Sequence, residues 1–249
     1  MQAQYAHAPD YAHIFDQRAD GYHAAMRLMP QARRAEFTTL FSEIPLQAHD
    51  SMLDIPSGGG YLQHYLDTPC AIQCFDFSAG FAHEGGAHVQ KIDAHAPFWP
   101  IGVASRVVSL AGLHHFDDPL AAVARLLRHV QPGGVLHVAD VAQDSPQGAF
   151  LNGFVDRYNP QGHKGNFFPT ARSAWPADWR ISRLRQENIP WVFADVQAMC
   201  WFCCNLFGVP LQHAAALQAE LARLPGYTEY ADRCELHWSL LYLDVHAPA

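Results

Sequence analysis

The stretch Ser51-Met52-Leu53-Asp54-Ile55-Pro56-Ser57-Gly58-Gly59-Gly60-Tyr61 decides how this chain is read. Its apolar half, ending at Asp54-Ile55, has the length and composition of a buried strand, and the glycines predict a tight turn that opens a helix at Tyr61. Glycine lacks a Cβ and tolerates positive φ, so backbone here can lie against a flat or polar ligand beside the first N–H groups of that helix. Asp54, at the strand tip, can hold a cationic or amide group. A purely structural turn would look the same, so the weight falls on the surrounding chain.

Outward from the turn, residues 71–75 predict a second strand ending in Asp76-Phe77-Ser78. In a doubly wound sheet, a carboxylate at the end of the second strand, about twenty residues past the glycine loop, binds a ribose diol. A helix N-cap is the alternative use of this position. Residues 89–92 predict a short third strand closed by Asp93-Ala94. A carboxylate there can accept from an adenine amino group while alanine leaves room for the ring; a simple turn former is the alternative. Strand four, residues 106–110, runs into Ala111-Gly112-Leu113-His114-His115-Phe116. A helix over 119–129, a break at Pro132-Gly133-Gly134 and a fifth strand over 135–138 ending at Ala139-Asp140 complete a regular strand–helix alternation. That alternation predicts an α/β fold with a parallel sheet, whose ligands sit at the carboxyl ends of the strands.

Before the sheet, helical periodicity from residue 11 to about 46 is interrupted at Pro30, with a second helix over 31–41. These helices are placed to lie across the carboxyl end, with Tyr22 and Arg27 as candidates to close over a ligand. After Asp140 the pattern dissolves. Residues 142–190, rich in Gly, Pro, Asn and aromatics, read as a lid, in which Phe154, Tyr158, Phe167, Phe168 and Trp175 either line an acceptor pocket or cover the sheet. Helices over 195–207 and 211–224 follow, and the alternation in 234–243 predicts a closing antiparallel strand. The expected organisation is one domain over 1–249: N-terminal helices (1–46), a cofactor-binding core (51–141), a substrate lid (142–190), and C-terminal helices with closing strands (191–249).

Composition narrows the function. With 49% apolar and 16% charged residues the 249-residue chain is that of a folded globular protein, and a net charge of −8 argues against a nucleic-acid partner. Arg180, Arg183 and Arg185 read as a solvated helix face. No leader pattern and no run of about 18 apolar residues is found, so a cytoplasmic location without membrane attachment is expected. The six cysteines keep apolar company, and Cys200-Trp201-Phe202-Cys203 reads as core helix in the absence of a second C-x-x-C. None of the sixteen histidines falls in an H-E-x-x-H pattern, and no metal site is expected. Oligomeric state is not legible.

Taken together, these motifs resemble the class I S-adenosylmethionine-dependent methyltransferases, in the small-molecule branch related to ubiquinone-biosynthesis and trans-aconitate methyltransferases. The residues that carry the resemblance are Leu53-Asp54-Ile55-Pro56-Ser57-Gly58-Gly59-Gly60, then Asp76, then Asp93-Ala94, then Leu110 to Phe116, and the segment Leu127 to Leu136 with its Pro-Gly-Gly turn. The resemblance implies a Rossmann-like, seven-stranded, mostly parallel sheet with helices on both faces, a final antiparallel strand and a lid after strand five. It implies S-adenosylmethionine as cofactor and S-adenosylhomocysteine as product, with a small-molecule methyl acceptor. Asp76, with Phe77 beside it, would hold the ribose hydroxyls, and Asp93 and Ala94 the adenine. The loop Asp54, Ile55, Pro56, Ser57, Gly58, Gly60 would hold the methionine end, Leu110 and Ala111 would offer carbonyls to its ammonium, and Tyr22 would cap it. Pro56 departs from the family, which has a glycine there, and removes one backbone donor.

Where the acceptor arrives protonated a base is needed, and His114, His115, His163 and Asp140 are the candidates, imidazole being preferred for its ordinary pKa of about 6.5. His114 and His115 as packing elements are the alternative. Two other functions share parts of the pattern. A nicotinamide-dependent oxidoreductase also uses a glycine turn and a later carboxylate, but Gln63 stands where its third glycine would be. A catalytically silent adenosyl-binding module is the reading that Pro56 favours.

Overall fold

The structure, a computed structural model, describes residues 11–84 and 88–248. The reading of the N-terminus for a leader rests partly on residues outside that range.

The strands are β1 (Ser51–Asp54), β2 (Ala71–Asp76), β3 (Val89–Lys91), β4 (Ala104–Leu110), β5 (Val130–Asp140), β6 (Arg180–Asn188), β7 (Trp191–Phe193), β8 (Tyr227–Glu229), β9 (Cys234–Leu236) and β10 (Ser239–His246). The helices are α1 (Tyr11–Leu28), α2 (Arg34–Thr39), α3 (Ala79–Glu84), α4 (Pro119–Leu127), α5 (Pro146–Phe150), α6 (Asp156–Tyr158), α7 (Val196–Phe207) and α8 (Ala214–Arg223). A π-helical turn, Leu151–Val155, joins α5 to α6.

Seven strands form one sheet in the order β3-β2-β1-β4-β5-β10-β6, and β10 runs antiparallel to both its neighbours. Topology of this kind is Rossmann-like, as expected. Alternation along the strands splits the interior into two cores. Met52, Val108, Ala139 and Tyr242 belong to one, and their neighbours Leu53, Val107, Val138 and Leu241 to the other. Period-two burial on both sides is what apolar, helix-covered strands produce. Helix α1 gives Ile14, Phe15 and Ala19 to one core and Ala25 and Met26 to the other. It therefore crosses the sheet's end, which places it over the strand tips where ligands bind in such folds.

Several boundaries differ from expectation. The helix expected after the glycine turn is a 3-10 turn, Tyr61–Tyr65, and β5 begins at Val130, taking in the Pro-Gly-Gly segment as strand. The expected lid ends early, because Arg180–Asn188 is the sheet's edge strand; Arg183 is buried there, its guanidinium over the Tyr242 ring and paired with Glu187. A non-local partner, β10, makes this strand, and local composition does not announce it. The closing run also divides between sheets: β9 joins β7 and β8, with Trp191 opposite Leu236, and β10 enters the main sheet after Trp238. Thus β7, α7, α8, β8 and β9 form an insertion between the last two sheet strands. All six cysteines are free, and Cys200 and Cys203 are buried on α7.

Candidate active site

At the tip of β1 the chain passes through Pro56 into Gly58, Gly59 and Gly60, whose φ values are 55°, 93° and 74°. Only glycine takes three such conformations in a row without strain. The Ser57 N–H donates to the Phe75 carbonyl at 2.9 Å and the Gly58 N–H to Asp76 Oδ2 at 2.9 Å, which ties the turn to β2. Pro56 is accommodated by Gly112: a Cβ on Gly112 would fall 2.3 Å from the proline ring.

Asp54, Pro56, Ser57, Gly58, Leu110, Ala111, Tyr11, Tyr22 and Arg33 line a cavity of about 50 Å³ over this turn. Asp54 is 2% exposed and its Oδ2 has no hydrogen-bond partner; neither does Ser57 Oγ. Burial, and then the neighbouring Asp76, push the Asp54 carboxyl well above the ordinary carboxylate range. Ile55 is fully buried, its N–H bonded to the Val108 carbonyl, and does not face the cavity. Tyr22 closes the cavity from α1, its hydroxyl accepting from Arg33 Nη1 at 3.1 Å. Arg27, on the exposed face of α1, lines no described cavity.

Asp93 and Ala94 lie in a separate groove of about 400 Å³ with Ala12, Phe77, Lys91, Ile92 and His95. Asp93 Oδ1 accepts from the His95 N–H at 2.9 Å. Asp76 opens into neither space. It is fully buried, with Oδ1 taking the Ser78 N–H at 2.9 Å and Oδ2 facing Gly58 N–H and, at 3.4 Å, the Tyr11 hydroxyl. Burial pushes its carboxyl up to about 7 against the lowering by these donors. Tyr11 lies between the cavity and the groove, packed against Phe15, Phe77 and His115. The three strand-tip carboxylates are thus not in one space, because the first turn of α1 is seated over the middle one.

A second cavity of about 70 Å³ adjoins the first, sharing Phe15, Tyr22, Arg33 and Ala111 as walls. It brings His114, His115 and His163 together, although almost fifty residues separate them in sequence. His114 Nδ1 is 2.6 Å from Asp140 Oδ1, and Asp140 also accepts the N–H groups of Leu113 and Val141. With that carboxylate acting only as acceptor, the His114 proton sits on Nδ1 and the Nε2 lone pair is left free. Asn152 Oδ1 takes the Gly165 N–H at 2.7 Å and lies 3.2 Å from His163 Nδ1, which fixes His163 in the same tautomer. Burial, followed by the neighbouring His114, drives both His115 and His163 well below their ordinary range. One ring nitrogen of each of the three lies within 4.8 Å of the others. That spacing suits a metal, but the Arg18 charge, which also lowers His115 and His163, opposes a cation there.

The remaining walls are Val141, Leu151, Trp191, Leu206, Phe207, Trp238 and Leu240, with the buried ion pair Arg33–Glu36 and the side chain of Arg18. They come from the insertion and the start of β10, from α1 and the start of α2, and from the segment after β5. Of the lid aromatics, Phe167 packs beside His114 at 6.0 Å between ring centroids, Phe168 and Trp175 stack in the core, and Phe154 and Tyr158 line another groove with Arg157 and Arg223. Tyr11, Arg18, Arg33, Glu36, Gly112, Trp191 and Trp238 were not marked by the sequence reading. Arg18 left one signal, since it falls on the apolar stripe of Ile14, Phe15, Ala19 and Tyr22.

Residues 53–138, from β1 to β5, match the family model described as a methyltransferase domain. No curated protein matches the sequence. Among solved structures, a SAM-dependent methyltransferase of Thermotoga maritima superposes with a TM-score of 0.59 at 15% identity, covering 95% of this chain and 99% of that one. The YcgJ protein of Bacillus subtilis gives 0.54 at 17%, covering 91% and 99%. The phosphoethanolamine N-methyltransferase 2 of Haemonchus contortus, in complex with phosphomonomethylethanolamine and S-adenosylhomocysteine, gives 0.52 at 12%, covering 96% and 60%. At these identities the likeness is one of fold. The chain has the fold of these methyltransferase structures, and the match to the methyltransferase-domain model falls on residues 53–138, where the motifs lie. No helix among the described residues is long and apolar enough to cross a membrane.

Proposed function

We propose that the protein transfers a methyl group from S-adenosylmethionine to a small-molecule acceptor. The observation that carries this reading is the pair of unpartnered oxygens, Asp54 Oδ2 and Ser57 Oγ, above three consecutive left-handed glycines. A buried acid without a donor is costly, and an ammonium group bound beside it restores both its charge and its hydrogen bond. The donor set therefore fits the methionine end of the cofactor, with Asp54, Ser57 and Gly58 below, Leu110 and Ala111 beside it and Tyr22 above. Asp93, Ala94 and Phe77 would receive the adenine.

Cavities of about 50 and 70 Å³ are smaller than the roughly 150 Å³ that admits benzene, so binding requires the first turn of α1 to move. Its departure takes the Tyr11 hydroxyl off Asp76, leaves that carboxylate for the ribose hydroxyls and joins the cavity to the adenine groove.

When bound, the cofactor would supply an activated methyl on a sulfonium, whose leaving group is a neutral thioether. Within this reading the chain supplies alignment and a dry site, the main requirements when the leaving group is already good. The aromatic cavity that adjoins the turn would hold the acceptor. His114 would take the acceptor's proton at Nε2, and the Asp140 carboxylate, bonded to Nδ1, would hold the imidazole in place. His115 and His163 exclude water around it.

Nicotinamide chemistry is disfavoured by the 3-10 turn at Tyr61–Tyr65, which offers no helix N-terminus for a pyrophosphate. The silent-module reading draws on the Tyr11–Asp76 contact. Both are tested by calorimetry with S-adenosylmethionine against the nicotinamide cofactors, and by incubating the protein with methyl-labelled cofactor and a panel of small oxygen, nitrogen and carbon acceptors. Labelled product is expected. Tight cofactor binding with no transfer across the panel would leave the silent module, and preference for a nicotinamide would end the reading.

A further inference from the structure

Four arginines are buried among the described residues: Arg18, Arg33, Arg106 and Arg183. Three have carboxylate partners. Arg33 pairs with Glu36, Arg106 with Asp50 at 3.1 Å, and Arg183 with Glu187 at 2.9 Å. Arg18, 7% exposed, has none. Its Nη2 donates to the Leu206 carbonyl at 2.7 Å near the end of α7, its guanidinium stacks 5.0 Å from the Phe15 centroid, and its Nε and Nη1 have no acceptor. Capping α7 uses one of five donors, so it does not account for an arginine at this position. Burial pushes its pKa down to about 10, which still leaves it charged at neutral pH. A buried, unpaired charge is tolerated where a ligand supplies the counter-ion.

We infer that Arg18 is the anchor for a carboxylate on the methyl acceptor, held in the cavity between Arg18, His115 and the flat walls of Trp191, Phe207 and Trp238. The inference rests on reading that cavity as the acceptor site. Arg18 shares it with His114, so one face of the cavity receives the anion and another the proton. Arg33 cannot serve in its place, since Glu36 and the Tyr22 hydroxyl already occupy it. The His115 imidazole makes only ring contacts and can donate its ring N–H to the same anion. The planar aromatic walls favour a flat acceptor body.

The test is thermal melting of the full chain with acetate, butyrate and benzoate, each against its own amide at matched ionic strength, with and without S-adenosylhomocysteine. At saturation at least one carboxylate is expected to raise the melting temperature by about 2–4 °C more than its amide. Arg18→Met should abolish that difference, Arg18→Lys should keep part of it, and S-adenosylhomocysteine affinity should be the same in both. Carboxylates no better than their amides on the unaltered protein, or a difference that persists in Arg18→Met, would overturn the inference. Failure of S-adenosylhomocysteine to bind while the carboxylate effect holds would remove the methyl-transfer reading and leave the anion site standing.

Discussion

The two ends of the cleft are built on opposite chemistry and reach the same condition. At the glycine turn the buried groups are acids, and burial pushes Asp54 and Asp76 up. Under the insertion they are bases, and burial pushes His115, His163 and Arg18 down. Each end holds groups for which the closed protein provides incomplete partners: Asp54 Oδ2 and Ser57 Oγ at one, Arg18 Nε and Nη1 at the other. Helix α1 seals both, with Tyr11 on Asp76 and Arg18 beside the histidines. One helix thus lies along both an acidic pocket and a basic one, the arrangement that the proposed reaction between a cationic donor and an anionic acceptor would require.

That contrast can be broken at either end. The largest effect is expected at the basic end: His114→Gln should lower turnover about 10²–10⁴-fold, the span of general-base contributions, with S-adenosylhomocysteine affinity unaltered. Turnover within about two-fold of the parent would reduce His114 to packing. At the acidic end, Asp54→Asn and Asp76→Ala should each weaken cofactor binding by about 1.5–3 kcal/mol, the range for hydrogen bonds to a charged group. Calorimetric affinities unchanged by both would show that the carboxylates do not face the ligand.

Acidity sharpens the comparison because the two ends titrate with opposite sign. Asp76 is raised in the folded state to about 7, so the folded protein binds the extra proton between about pH 4 and pH 7, and its contribution to stability is lost as pH rises through that window. His115 and His163 are lowered, so their contribution is present above about pH 6.5 and is lost as pH falls below it, when the unfolded chain takes up protons that the folded one refuses. Each group contributes at most about 1.4 kcal/mol per pH unit. Denaturation midpoints across this range should fall less steeply on the acid side in His115→Gln than in the parent; parallel profiles would contradict the burial argument. The smallest effect is expected at the seal itself. Tyr11→Phe removes one hydroxyl from Asp76 and should tighten cofactor binding by about 0.5–1.5 kcal/mol, whereas weaker binding would make Tyr11 part of the binding surface.

The two ends also differed in how far the sequence disclosed them. The acidic end was legible because its parts are local: a strand, Asp54 and three glycines fall within one short stretch, and Asp76 and Asp93 each close a short strand. What was missed there is Tyr11, since nothing in an amphipathic helix says which carboxylate its first turn will cover. The basic end is assembled from distant pieces. His114, His115 and His163 were marked one by one, but Trp191 and Trp238 reach the cavity only because β7 pairs with β9 in a second small sheet, a non-local event without a local signature. Gly165 let the 163–167 loop approach His114, where a Cβ would lie 3.1 Å from the imidazole. Arg180 to Asn188 was misread for a related reason, its strand character being set by β10. Arg18 could have been suspected as a charge on an apolar stripe, but its lack of a partner is visible only in three dimensions.

The central claim, that the glycine turn and its unpartnered oxygens form an adenosyl-cofactor site, is tested most directly by titrating S-adenosylhomocysteine into the unaltered protein and into Asp54→Asn in a calorimeter. The account predicts one ligand per chain for the parent and an affinity lowered roughly 10-fold or more in the variant. No heat with the parent, or equal affinity in the two proteins, would contradict it.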